Sequence, residues 1–345
     1  MTDLDYATAY KRLLNKGYTH EHLSSLPPII ILPDDMILKI ISYLSAQDTI
    51  IFCSISNRYI KLSMDHQLIN NLYHRDFKAI DFLMDGNDDE RVKILTCLQL
   101  VKDKLHSKLS IKSLYTNIQL RVENKSITKI PTQIKYLINL QELYIYTNLK
   151  YIPSTIYNLM HIKKLNLSSN SITFLPEELG NMVNLELLDL KCNHIFNLPS
   201  SFSNLQQLTS LELQHNNLSN IDAVIHLTKL VNLNGDHNKI IDLPKGFTNL
   251  IKLRHLNMND NQLTNISIEK LTNLNTLAIR YNQITNLSNI DSPLTRMFID
   301  HNNITLLNLS HLTTLRQLGL DRSVIVSDPY QLLHHIQILK YDKMD

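Results

Sequence analysis

Two short sequence patterns contain side chains of the types that do chemistry in enzymes. Cys192 follows Lys191, and a neighbouring ammonium group lowers the pKa of a thiol and makes it a better nucleophile. No base that could orient the thiol is evident, so we expect Cys192 to have no catalytic role. His20 and His22 flank Glu21 and are too close together for the zinc-protease motif, in which two histidines lie one helical turn apart. We expect a solvated loop there.

A third set of reactive side chains consists of His215, Asp236, His237 and Asp260. Zinc takes imidazole and carboxylate ligands in a set geometry. The chain has 15 histidines and 32 acidic residues, however, and such groups also meet by chance. We therefore predict no metal site, no cofactor and no catalytic residue, and we expect that the protein is not an enzyme.

The composition excludes several classes of function. The 345 residues carry 34 basic and 32 acidic side chains, so no basic excess exists for general binding to nucleic acid. The six glycines are not spaced to form a phosphate-binding loop. The three cysteines are far apart and form no CxxC pair, which is typical of a protein from a reducing compartment.

A repeated pattern begins near residue 117, and it determines where Cys192 and the four histidine and aspartate residues lie. Its unit reads LxxLxLxxNxL, and clear copies start at Leu185 and Leu208. Alternating leucines point to one face of a short strand, so each copy predicts one strand and one layer of core. An eleventh, truncated copy begins at Leu333. The ten full copies begin at Asn117, Leu140, Ile162, Leu185, Leu208, Leu230, Leu253, Leu274, Leu294 and Leu315.

The pattern resembles the leucine-rich repeat family, in which the repeats stack into a curved solenoid with one parallel strand per turn. The resemblance implies that the asparagine of each copy turns inward and satisfies backbone groups. This asparagine series is Asn170, Asn193, Asn216, Asn238, Asn261, Asn282 and Asn302. At the ends, Lys125 and Ser323 replace the asparagine, and Thr147-Asn148 straddles its site in the second copy. Terminal repeats are expected to be atypical.

The segments that connect consecutive strands form the predicted convex side of the solenoid. Five copies carry a proline after the second apolar cluster, which favours an irregular or extended segment over a long helix. From Leu253 onward the copies shorten and lack this proline. We therefore expect tighter convex turns in that half.

The side of the predicted sheet away from the core, called the concave face below, has the composition of an interaction surface. Exposed aromatic residues and arginines dominate the binding energy of many protein interfaces. An ordinary solvated sheet face with a few exposed rings is the alternative. The candidate target-binding residues are Tyr144, Tyr146, Arg280, Tyr281, Arg296, Phe298 and His301.

The N-terminal third has no such repeats and reads as helices. Leu32-Pro33-Asp34-Asp35 places a proline and two acids where a helix would begin, and apolar residues follow at helical spacing. Asp48 opens a second helix, and Ile55-Ser56-Asn57-Arg58-Tyr59 precedes a third apolar stretch.

These residues resemble an F-box, with Tyr59 where the family usually has tryptophan. The resemblance implies docking on a Skp-type adaptor and, through it, on a cullin ligase. The residues that would form or support this surface are Leu32, Pro33, Ile37, Ile40, Leu44, Ile55 and Tyr59. The alternative is a set of helices that only caps the first repeat of the solenoid.

We accordingly predict an α/β protein, in which a small all-helical module precedes a solenoid of about ten turns. The expected divisions are an extension at 1–26, an F-box-like module at 27–75, a helical connector at 76–110 and repeats at 111–345. The resemblance implies a substrate-recognition adaptor of an SCF-type ubiquitin ligase, whose concave face binds an unidentified target protein. A non-catalytic scaffold or inhibitor is the alternative. Residues 1–17 lack the apolar core of a signal peptide. We therefore expect a cytoplasmic protein, in the host cytoplasm if the source is a virus, without nucleic-acid or membrane partners.

Overall fold

The computed structural model describes residues 101, 117–287, 290, 292–309, 312–327 and 336–341. The chain divides into two units, Met1–Tyr115 and Thr116–Asp345, and all of the described residues except Val101 belong to the second unit. The expectations for the F-box-like module and the helical connector concern residues outside this description, apart from Val101, which is helical and buried.

Parallel strands, one from each repeat, form the main sheet. In the described residues this sheet has eleven strands, in the order β1 to β9, then β11 and β13. The strands are β1 Gln119–Val122, β2 Glu142–Ile145, β3 Lys164–Asn166, β4 Leu187–Asp189, β5 Ser210–Glu212, β6 Asn232–Asn234, β7 His255–Asn257, β8 Thr276–Ala278, β9 Arg296–Phe298, β10 Leu306–Asn308, β11 Gln317–Asp321, β12 Ile325–Ser327 and β13 Gln337–Tyr341. The predicted parallel-strand solenoid is confirmed.

The register of the sheet stacks equivalent residues of successive repeats. Leu188 pairs with Leu165 on one side and with Leu211 on the other, and all three side chains are fully buried. Each repeat cannot bury its leucines alone, so the core exists only as a continuous column through neighbouring turns.

Short 3-10 helices form the opposite side of the first six repeats. They are η1 Thr132–Tyr136, η2 Ser154–Asn158, η3 Glu177–Asn181, η4 Ser200–Asn204, η5 Asp222–His226 and η6 Phe247–Asn249. The first four follow directly on Pro131, Pro153, Pro176 and Pro199, which are their N-caps. The segments are single short turns and not the long helix that the prolines disfavour; η5 and η6 form the same kind of turn after Ile221 and Gly246.

In the C-terminal repeats, the segments that connect the strands of the main sheet have a different structure. After Asn249, the described residues contain no further 3-10 helix. Instead, β10 and β12 pair in parallel as a separate two-stranded sheet. Single i→i+3 hydrogen bonds, such as that from the Leu271 N–H to the Ile268 carbonyl, occur there in place of 3-10 helices.

The asparagine series holds consecutive turns together. The Asn216 amide donates to the carbonyls of Leu190 and Leu213 at 3.0 and 2.9 Å, and its oxygen accepts the N–H of Ile195 at 3.0 Å. Asn193, Asn238, Asn261, Asn282 and Asn302 repeat this set of bonds. Each side chain thus satisfies backbone groups of two turns where the strand ends.

Asn170 makes the same set of bonds, and further side chains add to the series near its ends. Asn170 accepts from Thr147, whose own hydroxyl also donates to the Asn170 oxygen at 3.1 Å. Lys125 donates to the carbonyls of Thr147 and Ser169, each at 3.1 Å. The carboxylate of Asp321 accepts the N–H groups of His301 and Asn302. These polar contacts therefore extend from Lys125, just after β1, to Asp321 in β11.

We expect Asn216→Ala to lower the free energy of unfolding by at least about 2 kcal/mol, because it leaves buried backbone groups of two turns unpaired. Chemical denaturation of the full chain measures this loss. Asn217→Ala is the matched control, since Asn217 adjoins the series but contributes only its backbone N–H, to Ile195. An equal effect of the two substitutions would contradict the structural role of Asn216.

Tyr157→Phe tests the packing behind the sheet. Tyr157 is 1% exposed, and no partner of its hydroxyl is found among the described residues. Burial raises the pKa of Tyr157, so the phenol stays neutral. Because an unpaired buried hydroxyl is costly, we expect the substitution to leave the free energy of unfolding unchanged or to raise it by up to about 1 kcal/mol. A clear loss in thermal or chemical denaturation would indicate a hydroxyl partner.

Candidate functional site

The concave face displays the residues that alternate with the buried leucines. All seven predicted target-binding residues lie on it, in two separate clusters. Tyr144 and Tyr146 lie at the N-terminal end, and Arg280, Tyr281, Arg296, Phe298 and His301 lie towards the C-terminal end.

The N-terminal cluster is centred on Arg121, which the sequence analysis did not single out. Its guanidinium lies 5.2 Å from the ring centroid of Tyr144 and 5.7 Å from that of Tyr146, within the range of cation–π attraction. Arg121 pairs in register with Tyr144 on the next strand, so the repeat pattern contained the signal: Arg121 occupies the same column one copy earlier.

A carboxylate extends this cluster. Glu142 accepts a hydrogen bond from the Tyr144 hydroxyl at 3.0 Å and pairs with Lys164 at 2.8 Å. The contact with Lys164 holds the pKa of Glu142 below its usual value and raises the pKa of Lys164. Burial, together with Glu142, raises the pKa of Tyr144. The cluster thus presents charges of both signs beside two aromatic rings.

The C-terminal cluster is built on a buried ion pair. Arg280 Nε lies 2.8 Å from Asp300 Oδ1, and Asp300 is 2% exposed. The guanidinium also lies 4.6 Å from the ring centroid of Phe298. Gly319 permits this arrangement, because a Cβ there would lie 2.9 Å from the Asp300 carboxylate and 3.0 Å from the Phe298 ring. A glycine in the neighbouring strand therefore helps to shape the cluster.

A turn of unusual backbone geometry projects the neighbouring side chains. The residue before each asparagine of the series has a positive φ, between 50 and 58°, in the left-handed region that costs a non-glycine residue roughly 1–2 kcal/mol. The seven residues are Ser169, Cys192, His215, His237, Asp260, Tyr281 and His301. Tyr281 and His301 stack with ring centroids 4.1 Å apart.

Arg296 stands at the edge of the C-terminal cluster. It pairs in register with Thr276, which in turn pairs with His255. Burial lowers the pKa of His255, and the charges of Arg296 and Arg254 lower it further. Arg296 and His255 therefore lie two strands apart in the same register row of the concave face.

The middle of the concave face brings together three of the four histidine and aspartate residues considered above. The ligand atoms of His215, Asp236 and His237 all lie within 4.8 Å of one another, and Asp260 Oδ2 lies 3.7 Å from His237 Nδ1. Burial raises the pKa of Asp260.

Cys192 is exposed on the same face. The Lys191 ammonium lies 3.3 Å from a carboxylate oxygen of Asp189. It therefore forms an ion pair with Asp189 and not with the Cys192 thiol. The histidines at positions 20 and 22 lie outside the described residues, as do all seven F-box candidates.

No helix in the described part of the chain is long and apolar enough to cross a membrane.

Comparison with protein families identifies repeats of one kind. Residues 155–240 match the leucine-rich repeat region family and residues 252–274 match the leucine-rich repeat family, whereas no F-box module is detected. No curated protein matches the chain by sequence.

Several solved structures share the fold. The ectodomain of the Arabidopsis thaliana receptor kinase GASSHO1/SCHENGEN3, solved in complex with CASPARIAN STRIP INTEGRITY FACTOR 2, is 24% identical with a TM-score of 0.57 and covers 66% of this chain. A TDR receptor is 26% identical with a TM-score of 0.54 over 62% of the chain. InlJ from Listeria monocytogenes is 25% identical with a TM-score of 0.52, also over 62%.

This chain spans only part of those proteins: 30% of the receptor kinase chain, 40% of the TDR receptor chain and 54% of the InlJ chain. The shared fold and the matched families agree with the strand pairing and the asparagine series described above. Residues 155–240 and 252–274 are leucine-rich repeats within a solenoid of parallel strands.

Proposed function

We propose that this protein is a non-catalytic scaffold that binds another protein through the concave face of its repeats. The observation that carries the proposal is the pair of arginine–aromatic clusters on that face: Arg121 with Tyr144 and Tyr146, and Arg280 with Phe298. Such residues dominate the binding energy of protein interfaces.

The way in which these side chains are held supports the proposal. Arg280 is fixed by the buried Asp300 carboxylate and by the Phe298 ring, so little side-chain entropy remains to be lost when a partner binds. Tyr281 is 43% exposed although it stacks on His301, and it keeps enough free surface to enter a contact. Rigid, partly exposed side chains of this kind form effective interface anchors.

The more specific function that we propose is target recognition in an SCF-type ubiquitin ligase in the cytoplasm. Its support is the F-box-like pattern from Leu32-Pro33 to Tyr59, which precedes the repeats in the sequence. In this role the repeats would hold the target, and the ligase would bring a charged ubiquitin carrier near a target lysine. The chain itself would supply no nucleophile.

Substitutions on the two clusters test the scaffold function. We expect Arg121→Ala to weaken the binding of a partner that contacts the N-terminal cluster by about 30-fold, and Tyr281→Asn to have the same effect on a partner that contacts the C-terminal cluster. A 30-fold loss corresponds to roughly 2 kcal/mol for an interface anchor. Asn suits the left-handed backbone of Tyr281, so the fold is preserved. Affinity capture with the full chain, followed by quantitative mass spectrometry and titration of the captured protein, measures the effect.

Phe174→Ala is the matched control for these substitutions. Phe174 is 65% exposed, but it lies on the segment between the asparagine series and η3, away from the concave face. Partners that are retained by both concave-face variants and lost with Phe174→Ala would overturn the proposed binding face.

A separate titration tests the adaptor role. We expect the full chain to bind a purified Skp-type adaptor with submicromolar affinity, and Ile37→Asp to abolish binding, because a carboxylate would be placed in an apolar interface. Isothermal titration calorimetry measures both. Ile138→Asp, at an exposed position of the repeats, controls for the added charge. A folded wild-type chain that does not bind would exclude the ubiquitin-ligase role for that adaptor and leave the scaffold function standing.

A further inference from the structure

We propose that His215, Asp236 and His237 form a binding site for a divalent transition metal such as zinc. The sequence alone predicts no metal site, because histidine and aspartate residues are common in these repeats. The structure adds the missing observation: the donor atoms of the three side chains lie within 4.8 Å of one another. This site is independent of the proposed protein-binding function.

The backbone presets the positions of both imidazoles. His215 and His237 precede Asn216 and Asn238 in consecutive turns, with φ values of 56 and 50°. The His215 N–H donates to the carbonyl of Asp236 at 3.0 Å. The two rings consequently lie with their centroids 4.3 Å apart. Because the turn geometry fixes both Cα–Cβ directions, a metal would have to order little more than side-chain torsions.

Carboxylates complete the donor set. Asp236 Oδ1 lies 2.9 Å from His237 Nδ1, and Asp260 Oδ2 lies 3.7 Å from the same nitrogen. Donors around a tetrahedral zinc ion with bonds of about 2.0–2.1 Å are roughly 3.4 Å apart, so modest torsional changes bring the three side chains into coordination. Asp260 can serve as a fourth ligand, or it can orient an imidazole.

The chain contains a natural comparison for this arrangement. His301 occupies the same position of its repeat as His237, and Asp300 lies beside it with Oδ2 3.0 Å from His301 Nδ1. There the preceding turn offers Tyr281 in place of a second histidine, and the other Asp300 oxygen pairs with Arg280. The second imidazole therefore distinguishes the proposed site from an ordinary histidine–aspartate pair.

The donor chemistry selects the class of metal. Two imidazoles and one carboxylate suit zinc, nickel or copper, whereas magnesium and calcium prefer oxygen ligands. The exposed position of both histidines gives an ion direct access from solvent. Three protein ligands leave a coordination position open for water.

The test is a calorimetric titration of zinc chloride into the metal-free full chain. We expect one site of micromolar affinity, and His215→Asn and His237→Asn should each raise its Kd at least tenfold. Asn tolerates the left-handed backbone at both positions and is a poor zinc ligand. His226→Asn, on η5 at the opposite side of the repeats, is the control and should leave the zinc affinity unchanged. Saturating zinc should raise the Tm of the wild type and not that of the two site variants.

Two outcomes would overturn the proposal. Absence of zinc binding by the folded wild type would do so directly. Binding that survives both His215→Asn and His237→Asn would show that other histidines of the chain hold the ion. Magnesium chloride should give no heat at the same concentrations, and equal binding of magnesium and zinc would contradict the proposed imidazole ligands.

Discussion

The inward-turned asparagine is the interaction on which the rest of the described structure depends. Where each strand ends, the chain must bend back across the core, and its backbone N–H and C=O groups leave the sheet while still buried. The side chain of Asn216, which can donate and accept simultaneously, bonds to carbonyls of its own and the preceding turn and to an N–H of the preceding turn. No apolar residue could satisfy these groups, and a buried unpaired group costs about 1–3 kcal/mol. Leucine burial supplies the driving force, whereas asparagine makes this route for the backbone possible.

The same turn explains why reactive side chains gather on one edge of the concave face. The residue before each asparagine adopts a left-handed conformation that costs energy for any residue except glycine. The asparagine bonds on either side of it offset that cost. Glycine is nevertheless absent at all seven positions, where histidine, aspartate, tyrosine, cysteine and serine occur instead. Strained backbone occupied by functional side chains is common at binding sites, and here it brings His215 beside His237 and Tyr281 beside His301.

Periodicity predicted the strands and the core, and the family resemblance implied the inward-turned asparagines, because each depends on residues within one repeat or on its exact copy in the next. It did not predict the contacts that depend on differences between copies. The Arg280–Asp300 pair needs the missing side chain at Gly319 in the following strand. Likewise, Met258 fills the space left at Gly235, where a Cβ would lie 2.7 Å from the methionine sulfur. Arg121 occupies the column of Tyr144 one copy earlier, but its contacts with both tyrosine rings depend on the particular side chains that neighbouring copies place there. The prolines predicted irregular or extended segments instead of long helices, but not the short 3-10 helices, which also form after Ile221 and Gly246.

Repetition also separates the residues that stabilise this unit from those that can change with function. The core leucines and the asparagines contact only adjacent turns, so a substitution on the concave face leaves them undisturbed. The C-terminal cluster is the exception, since Asp300 is buried among concave-face residues and pairs with Arg280. Removing Arg280 would leave the buried Asp300 carboxylate with only His301 beside it, at a cost above that of breaking an exposed pair. A pair of that kind contributes little net stability and mainly fixes geometry. On a sheet that the leucines already stabilise, the main effect of this pair is the orientation that it imposes on the Arg280 guanidinium beside the Phe298 ring.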